Sequence, residues 1–87
     1  MPRRGRRRRQ PVLDLHGLDR DAAVRRVYRW LEQAYVEDVG SGIVICGWGR
    51  GVLLETIGEV LGGHPLVAAH RKIRARYVVE IQPRNPG

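Results

Sequence analysis

The sequence predicts a single small α/β domain of two layers, built around a mostly parallel sheet. One observation is its length, because 87 residues suffice for one modest hydrophobic core but not for two. Another is the order of its apolar patterns, which indicates strand, helix, strand, helix, strand, strand. Alternation of this kind favours right-handed crossovers between strands of one sheet.

The first half of the chain is predicted to contain two strands and the helix that joins them. Residues 12–15 form a short apolar run, and residues 42–46 form a longer one, of the kind that is buried on both faces of a sheet. Between them, Asp19 is suited to cap a helix that ends near Gly40. The apolar face of this helix comprises Val24, Val27, Tyr28, Leu31 and Tyr35.

The second half is predicted to contain a helix over residues 52–61, stopped by Gly62 and Gly63, and two further strands over residues 66–69 and 77–81. The basic stretch 70–76 would join these strands as a hairpin. Loops follow the first two strands of the chain at residues 16–18 and 46–51. Ligands of α/β sheets bind beyond the C-terminal ends of strands, so we expect the functional site at these loops.

The positive charge of the chain is concentrated at its N-terminus. The net charge is +7, and residues 1–9 contain six arginines and no acidic residue. Such a segment cannot bury a core, so we expect residues 1–10 to be a disordered arginine-rich tail and residues 11–87 to be the folded domain. Arginine-rich tails commonly contact phosphate backbones. The alternative is an extension that only improves solubility.

The remaining composition indicates an intracellular protein. The only cysteine, Cys46, excludes an internal disulfide and a cysteine-based zinc site, which fits a reducing compartment. We interpret Cys46 as a small buried hydrophobic residue rather than a nucleophile. No apolar stretch is long enough to span a bilayer. We therefore expect a cytoplasmic location and no membrane partner.

Asp14 and His16 are the candidate catalytic residues. Side chains alternate between the two faces of a strand, so these two point to the same side while Leu13 and Leu15 point to the other. A carboxylate beside an imidazole can orient the ring for proton transfer. The alternative is a structural pair, in which Asp14 accepts backbone N–H groups of the next loop. A zinc site is less well supported because His64 and His70 lie on other elements.

The second candidate motif is the glycine-rich loop at residues 47–51, between a strand and a helix. Backbone amides there, together with the helix N-terminus, can bind a phosphate group, and Arg50 would add a bidentate contact. Trp48 could stack on an unpaired base or fold back as a cap on the core. The alternative is a tight turn in which the glycines only supply positive φ. The predicted phosphate-binding residues are Gly47, Trp48, Gly49, Arg50 and Gly51.

Together, the two motifs resemble those of the Smr (small MutS-related) domain family. That family shows an LDLHG-type motif on its first strand and a TGxG or HGxG motif after its second, which correspond here to residues 13–17 and 46–49. The similarity covers residues 11–83. It implies a compact α/β fold and nucleic-acid binding, and several members cleave DNA or RNA. The chain departs from the pattern at Cys46, where Thr or His is usual, at Trp48, where Lys is frequent, and in the arginine-rich loop before the last strand.

We therefore expect a monomeric domain that binds nucleic acid and acts as an endonuclease, nicking DNA or RNA by phosphodiester hydrolysis. His16, oriented by Asp14, would transfer a proton, while Arg50 and the amides of Gly47 and Gly49 stabilise the developing charge. The alternatives are a non-catalytic nucleic-acid-binding module and, less well supported, a protein–protein adaptor. No cofactor is assigned. A magnesium or manganese ion held by Asp14 and substrate phosphates remains open.

Overall fold

The computed structural model describes residues 10–48 and 51–84, which form four strands and two helices. The strands are β1 (Val12–Asp14), β2 (Ser41–Ile45), β3 (Val67–Ile73) and β4 (Arg76–Ile81). Helix α1 (Arg20–Val36) joins β1 to β2, and helix α2 (Val52–Gly63) joins β2 to β3. The predicted tail lies outside the described residues except for Gln10. No helix among the described residues has the length and apolar character needed to cross a membrane.

The strands form one mixed sheet in the order β1-β2-β4-β3. Only β1 and β2 are parallel, whereas β4 runs antiparallel to both of its neighbours. The predicted α/β class is confirmed, but the prediction of a mostly parallel sheet is wrong. The reason is that β3 and β4 form a hairpin, and β4 inserts beside β2, so that only the first crossover yields a parallel pair.

Both helices contact each other and cover one face of the sheet. The side chains that point to this face from the centre of the sheet are buried, as Val44 and Val79 on β2 and β4 illustrate, and so is Leu15 just after β1. On β3, at the edge of the sheet, the side chains of this face are exposed from His70 onward. The opposite face is not covered by a helix in the described part of the chain, and we call it the open face. The open face carries the outward side chains Val12, Asp14, Ile43, Ile45, Arg71, Ile73, Arg76, Val78 and Glu80. The prediction that β2 is buried on both faces is therefore wrong, since Ile43 and Ile45 are only half-buried.

Helix α1 begins as predicted but ends earlier. The Asp19 side chain accepts a hydrogen bond from the Ala22 N–H at 2.8 Å, which caps the first turn. The helix ends at Val36 rather than near Gly40. Asp38 takes the left-handed conformation with φ of 57°, and the N–H of Val39 bonds back to the carbonyl of Ala34 at 2.9 Å. This is a Schellman motif in which an aspartate occupies the position usually held by glycine.

The β3–β4 hairpin includes most of the basic segment. Strand β3 continues to Ile73, and β4 starts at Arg76, so the turn contains only two residues. Arg74 takes a positive φ of 58° there, as the tight turns of hairpins require. The predicted hairpin is confirmed, although the strands extend further into the basic stretch than the apolar pattern indicated.

Candidate active site

Asp14 and His16 form a hydrogen-bonded pair on the open side of the sheet. The Nδ1 atom of His16 lies 2.7 Å from Oδ1 of Asp14, and the His16 backbone N–H donates to the same oxygen at 3.1 Å. Leu13 and Leu15, which alternate with them, are buried in the core. The strand alternation thus orients both polar side chains outward, as the spacing predicts.

The pair is accessible to solvent and to a ligand. The His16 side chain is 72% exposed, and that of Asp14 is 49% exposed. The hydrogen bonds from the ring and from the backbone N–H of His16 lower the pKa of Asp14 below its ordinary value, because both stabilise the carboxylate. A neutral ring that donates its Nδ1 hydrogen to Asp14 carries its lone pair on Nε2. The arrangement therefore provides an oriented proton acceptor at an open surface.

The loop that follows β2, which we call the second loop, lies directly against His16 at Gly47. A Cβ atom placed on Gly47 would lie 3.2 Å from the Cβ of His16. Gly47 also has a positive φ of 83°, so this contact and this backbone conformation both favour glycine. His16, Gly47, Trp48 and Leu53 line a shared pocket of about 510 Å³. The structure thus brings together the two motifs that were singled out in the sequence.

The backbone donors of the second loop differ from the expectation. The N–H groups of Cys46 and Gly47 both donate to the carbonyl oxygen of Ala75, at 2.9 and 3.2 Å. The expected role of the Gly47 amide as a donor to phosphate does not fit this geometry, since its hydrogen is already used. Gly51, with φ of 84°, caps α2 without a side-chain hydrogen bond, so among the described residues no side chain caps the first N–H groups of the helix. Gly49 and Arg50 lie outside the described residues.

The structure distinguishes the alternatives left open for Trp48 and Cys46. Trp48 is 67% exposed, which excludes the interpretation of its ring as a cap on the core. Cys46 is buried, as expected, and burial raises the pKa of its thiol to about 11. The thiol is therefore neutral near pH 7 and poorly suited to be a nucleophile.

The other histidines lie away from the pair. His64 accepts a hydrogen bond from the Leu66 N–H and packs edge-on against Tyr28, whereas His70 packs against Tyr77. Among residues 10–48 and 51–84, no group of three or more His, Cys, Asp or Glu side chains is arranged to hold a metal ion.

Sequence reasoning missed the contribution of the β3–β4 hairpin to the site. Ala75 ties the hairpin to the second loop through its carbonyl, although about thirty positions separate it from Gly47. No local pattern marks such a contact, because it depends on the insertion of β4 beside β2. The arginines of the basic stretch 70–76 were the only available signal.

Comparison with known proteins shows which domain family has this arrangement of strands and loops. A family model described as the Smr domain matches residues 13–77. Endonuclease MutS2 of Clostridium botulinum (strain Loch Maree) is 41% identical over 59 residues, which cover 68% of this chain and 8% of that protein. Endonuclease MutS2 of Clostridium perfringens (strain SM101) is 38% identical over 61 residues, which cover 70% of this chain and 8% of that protein.

A solved structure agrees with these matches. The crystal structure of the Smr domain of Thermus thermophilus MutS2 has a TM-score of 0.81 and 25% sequence identity, and the match covers 84% of this chain and 99% of that domain. This chain belongs to the Smr domain family. It spans about 8% of the length of the curated MutS2 proteins that it matches, and the matched region is homologous to part of those proteins.

Proposed function

We propose that this domain binds nucleic acid and hydrolyses its phosphodiester bonds as an endonuclease. The observation that carries the proposal is the 2.7 Å contact between Asp14 Oδ1 and His16 Nδ1, which leaves Nε2 available on an exposed ring. His16 also lines the pocket that the second loop forms. Family membership and the similarity to proteins named endonuclease MutS2 support the same class of substrate.

In the proposed reaction, His16 acts as the general base. Its Nε2 accepts a proton from a water molecule whose oxygen attacks the phosphorus, and the opposite P–O bond breaks as the new one forms. The leaving oxygen takes a proton from solvent. Asp14 keeps the ring oriented and stabilises the imidazolium that forms.

The phosphate would be held by groups on the other side of the pocket. The first turn of α2, which no side chain caps in the described part of the chain, follows the second loop, and Leu53 of that turn lines the same pocket as His16. Helix N-termini favour anions because their N–H groups are unpaired and the helix dipole is positive there. Arg50 and the Gly49 amide, proposed from sequence, would add to this site; the Gly47 amide would not, since Ala75 accepts its hydrogen.

A second candidate function is a nucleic-acid-binding module that does not cleave. The observation that favours it is Cys46, which stands where the resembled motif has Thr or His. Its side chain is buried, with a thiol pKa of about 11, so it cannot supply the exposed polar group or the charge that those residues offer. Binding needs only the basic and aromatic surface and does not depend on this position.

The test is to incubate the purified chain with supercoiled plasmid and with structured RNA, each with and without a chelator of divalent cations. Conversion of plasmid to nicked circles, or defined cuts in the RNA, would support the endonuclease. Retention of both substrates intact, together with a shift in their electrophoretic mobility, would instead support the binding module. The chelator arm decides whether a divalent cation takes part.

A further inference from the structure

We propose that the open face beside His16 binds an unpaired nucleic-acid strand, with a base stacked on Trp48 and neighbouring phosphates held by the arginines of the β3–β4 hairpin. This proposal rests on nucleic-acid binding by the domain and specifies the kind of strand that reaches the candidate active site. Four features of the described residues support it. They are an exposed aromatic ring, an apolar groove, a cluster of cations, and the residues that this groove shares with the pocket containing His16.

The apolar groove lies on the open face next to Trp48. It has a volume of about 440 Å³ and is lined by Trp48 together with Ile43, Ile45, Ile73 and Val78. Ile73 is 41% exposed and Trp48 is 67% exposed, and together with the partly buried residues of the groove they form one contiguous apolar surface, as interaction sites often do. The bases of nucleic acids have apolar faces that stack on such surfaces.

The cations of the open face lie at the same end as the groove. Arg74 and Arg76 line the groove directly, and Arg71 lies opposite Val78 in the β3–β4 pairing. No ion pair involves these arginines within residues 10–48 and 51–84. Of the two acidic side chains of this face, Asp14 is bonded to His16, and Glu80 lies opposite Ser41 at the other end of β2. The groove thus combines apolar surface with the positive charge of its arginines.

Arg74 lies at the tip of the hairpin and at the edge of the groove. Its positive φ of 58° is the backbone conformation of the two-residue turn. Arginine at this tip places a guanidinium where a passing phosphate can accept two hydrogen bonds.

The groove continues into the candidate active site. Ile45 and Trp48 line both the groove and the pocket that contains His16. Asp14, Ile45 and Arg76 also lie in register across β1, β2 and β4. Since neighbouring strands are about 4.8 Å apart, Arg76 lies about 10 Å from the Asp14 position across the sheet. A strand crossing the sheet would therefore present one phosphate to His16 and a neighbouring one to the hairpin.

An unpaired strand fits these features better than a duplex does. Bases within a duplex are stacked on each other and cannot offer a face to Trp48, whereas unpaired bases stack on exposed aromatic rings. A protein partner would have to be both acidic and apolar to match the same groove. The experiments below distinguish a nucleic-acid strand from such a protein.

The first experiment measures the affinity of fluorescein-labelled single strands of about 12 nucleotides, and of the corresponding duplex, by fluorescence anisotropy. The wild type is expected to prefer the single strand. Trp48→Ala should weaken single-strand binding roughly tenfold or more, with a smaller effect on the duplex, and Trp48→Phe should recover part of the loss because a phenyl ring still stacks. Tyr28→Ala is the matched control, since Tyr28 is an exposed aromatic residue on α1 and not on the sheet.

The second experiment tests the cations with a charge-matched control. The double variant Arg71→Gln with Arg76→Gln should reduce the salt dependence of single-strand affinity, flattening the slope of log affinity against log salt by up to about 1.4. The control, Arg25→Gln with Arg29→Gln, removes the same charge from the exposed side of α1 and should leave the slope nearly unchanged. Thermal melting of each variant confirms that it is folded.

The proposal is overturned if the Trp48 and hairpin variants bind single strands as the wild type does, or if the α1 variant loses affinity instead. It is also overturned if these variants bind nucleic acid as the wild type does and are altered only in their binding of an acidic protein. Those results leave the proposed function intact when the wild type still binds or cleaves nucleic acid. A wild type that binds neither single strand nor duplex removes the proposed function and this inference together.

Discussion

At the scale of single residues, the proposed chemistry depends on how His16 and Asp14 interact. Two hydrogen bonds from one residue to one carboxylate oxygen fix the ring relative to the strand, although both side chains are exposed. Because the pair is exposed, the interaction contributes more to orientation than to stability. An oriented and accessible imidazole is what proton transfer requires.

This geometry predicts the titration of Asp14. In the wild type, the pKa of Asp14 should lie below its ordinary value, so the stabilisation from the pair is present above the ordinary pKa and is lost as pH falls through the lowered value. His16→Ala should raise this pKa only partly, because the backbone N–H of residue 16 still donates to the carboxylate. Side-chain carboxyl chemical shifts, followed by NMR against pH, measure both values. An unchanged pKa in the variant would contradict the side-chain hydrogen bond.

Gly42 gives a second prediction at this scale. A Cβ placed on Gly42 would lie 2.6 Å from the ring of Trp30 and 3.0 Å from the carbonyl oxygen of Pro11. Gly42→Ala should therefore force the indole out of place and reduce the free energy of unfolding by about 1–3 kcal/mol. Urea denaturation measures this change. A variant as stable as the wild type would show that Trp30 shifts without cost.

At the scale of secondary structure, the end of α1 shows where sequence reasoning succeeds and where it fails. The start was predictable because Asp19 caps the helix through a local side-chain contact. The end was misplaced because Gly40 was taken as the terminating residue, whereas Asp38 adopts the left-handed conformation. Aspartate tolerates this conformation better than most residues, but its presence in a sequence does not identify it as a helix terminus.

The observed end of α1 predicts that two substitutions differ in their effect on stability. Asp38→Gly should increase the free energy of unfolding by up to about 1 kcal/mol, because glycine adopts positive φ without strain. Gly40→Ala should be nearly neutral, since no atom lies within 4 Å of an added Cβ and its φ is not positive. Denaturant unfolding of both variants measures the difference. A strongly destabilised Gly40→Ala variant would contradict this helix end.

The sheet was predictable only in part for a similar reason. Apolar runs located the strands, but the direction of β4 depends on which neighbour it joins, and that pairing connects residues far apart in sequence. The candidate site shows the same limit. Alternation in the first strand was enough to place Asp14 and His16 on one side, whereas the Ala75 carbonyl that occupies the Gly47 amide could not be inferred from local spacing.

At the scale of the whole molecule, positive charge is divided between the tail and the domain. Residues 1–9 contain six arginines, whereas the remainder has ten basic and nine acidic residues. In the domain, the hairpin arginines lie beside the candidate active site. We expect the tail to add nonspecific affinity for phosphates while the domain positions the strand.

Deletion of residues 1–9 tests this division. The melting temperature should change little, because an arginine-rich segment contributes little apolar area to a core. If the tail neutralises about three to five phosphates of a duplex, its removal should flatten the slope of log affinity against log salt by about 0.9 for each. Binding titrations at several salt concentrations measure the slope. An unaltered slope would show that the tail only improves solubility.

Single-turnover cleavage tests most directly whether the Asp14–His16 pair performs the chemistry. With saturating protein and one nucleic-acid substrate, Asp14→Asn and His16→Ala should each slow cleavage by about two orders of magnitude or more, while affinity for the uncleaved substrate changes little. His70→Ala, which removes an exposed imidazole away from the pair, should cleave at the wild-type rate. Cleavage at the wild-type rate by both Asp14→Asn and His16→Ala, in preparations free of contaminating nuclease, would contradict a catalytic role of this pair.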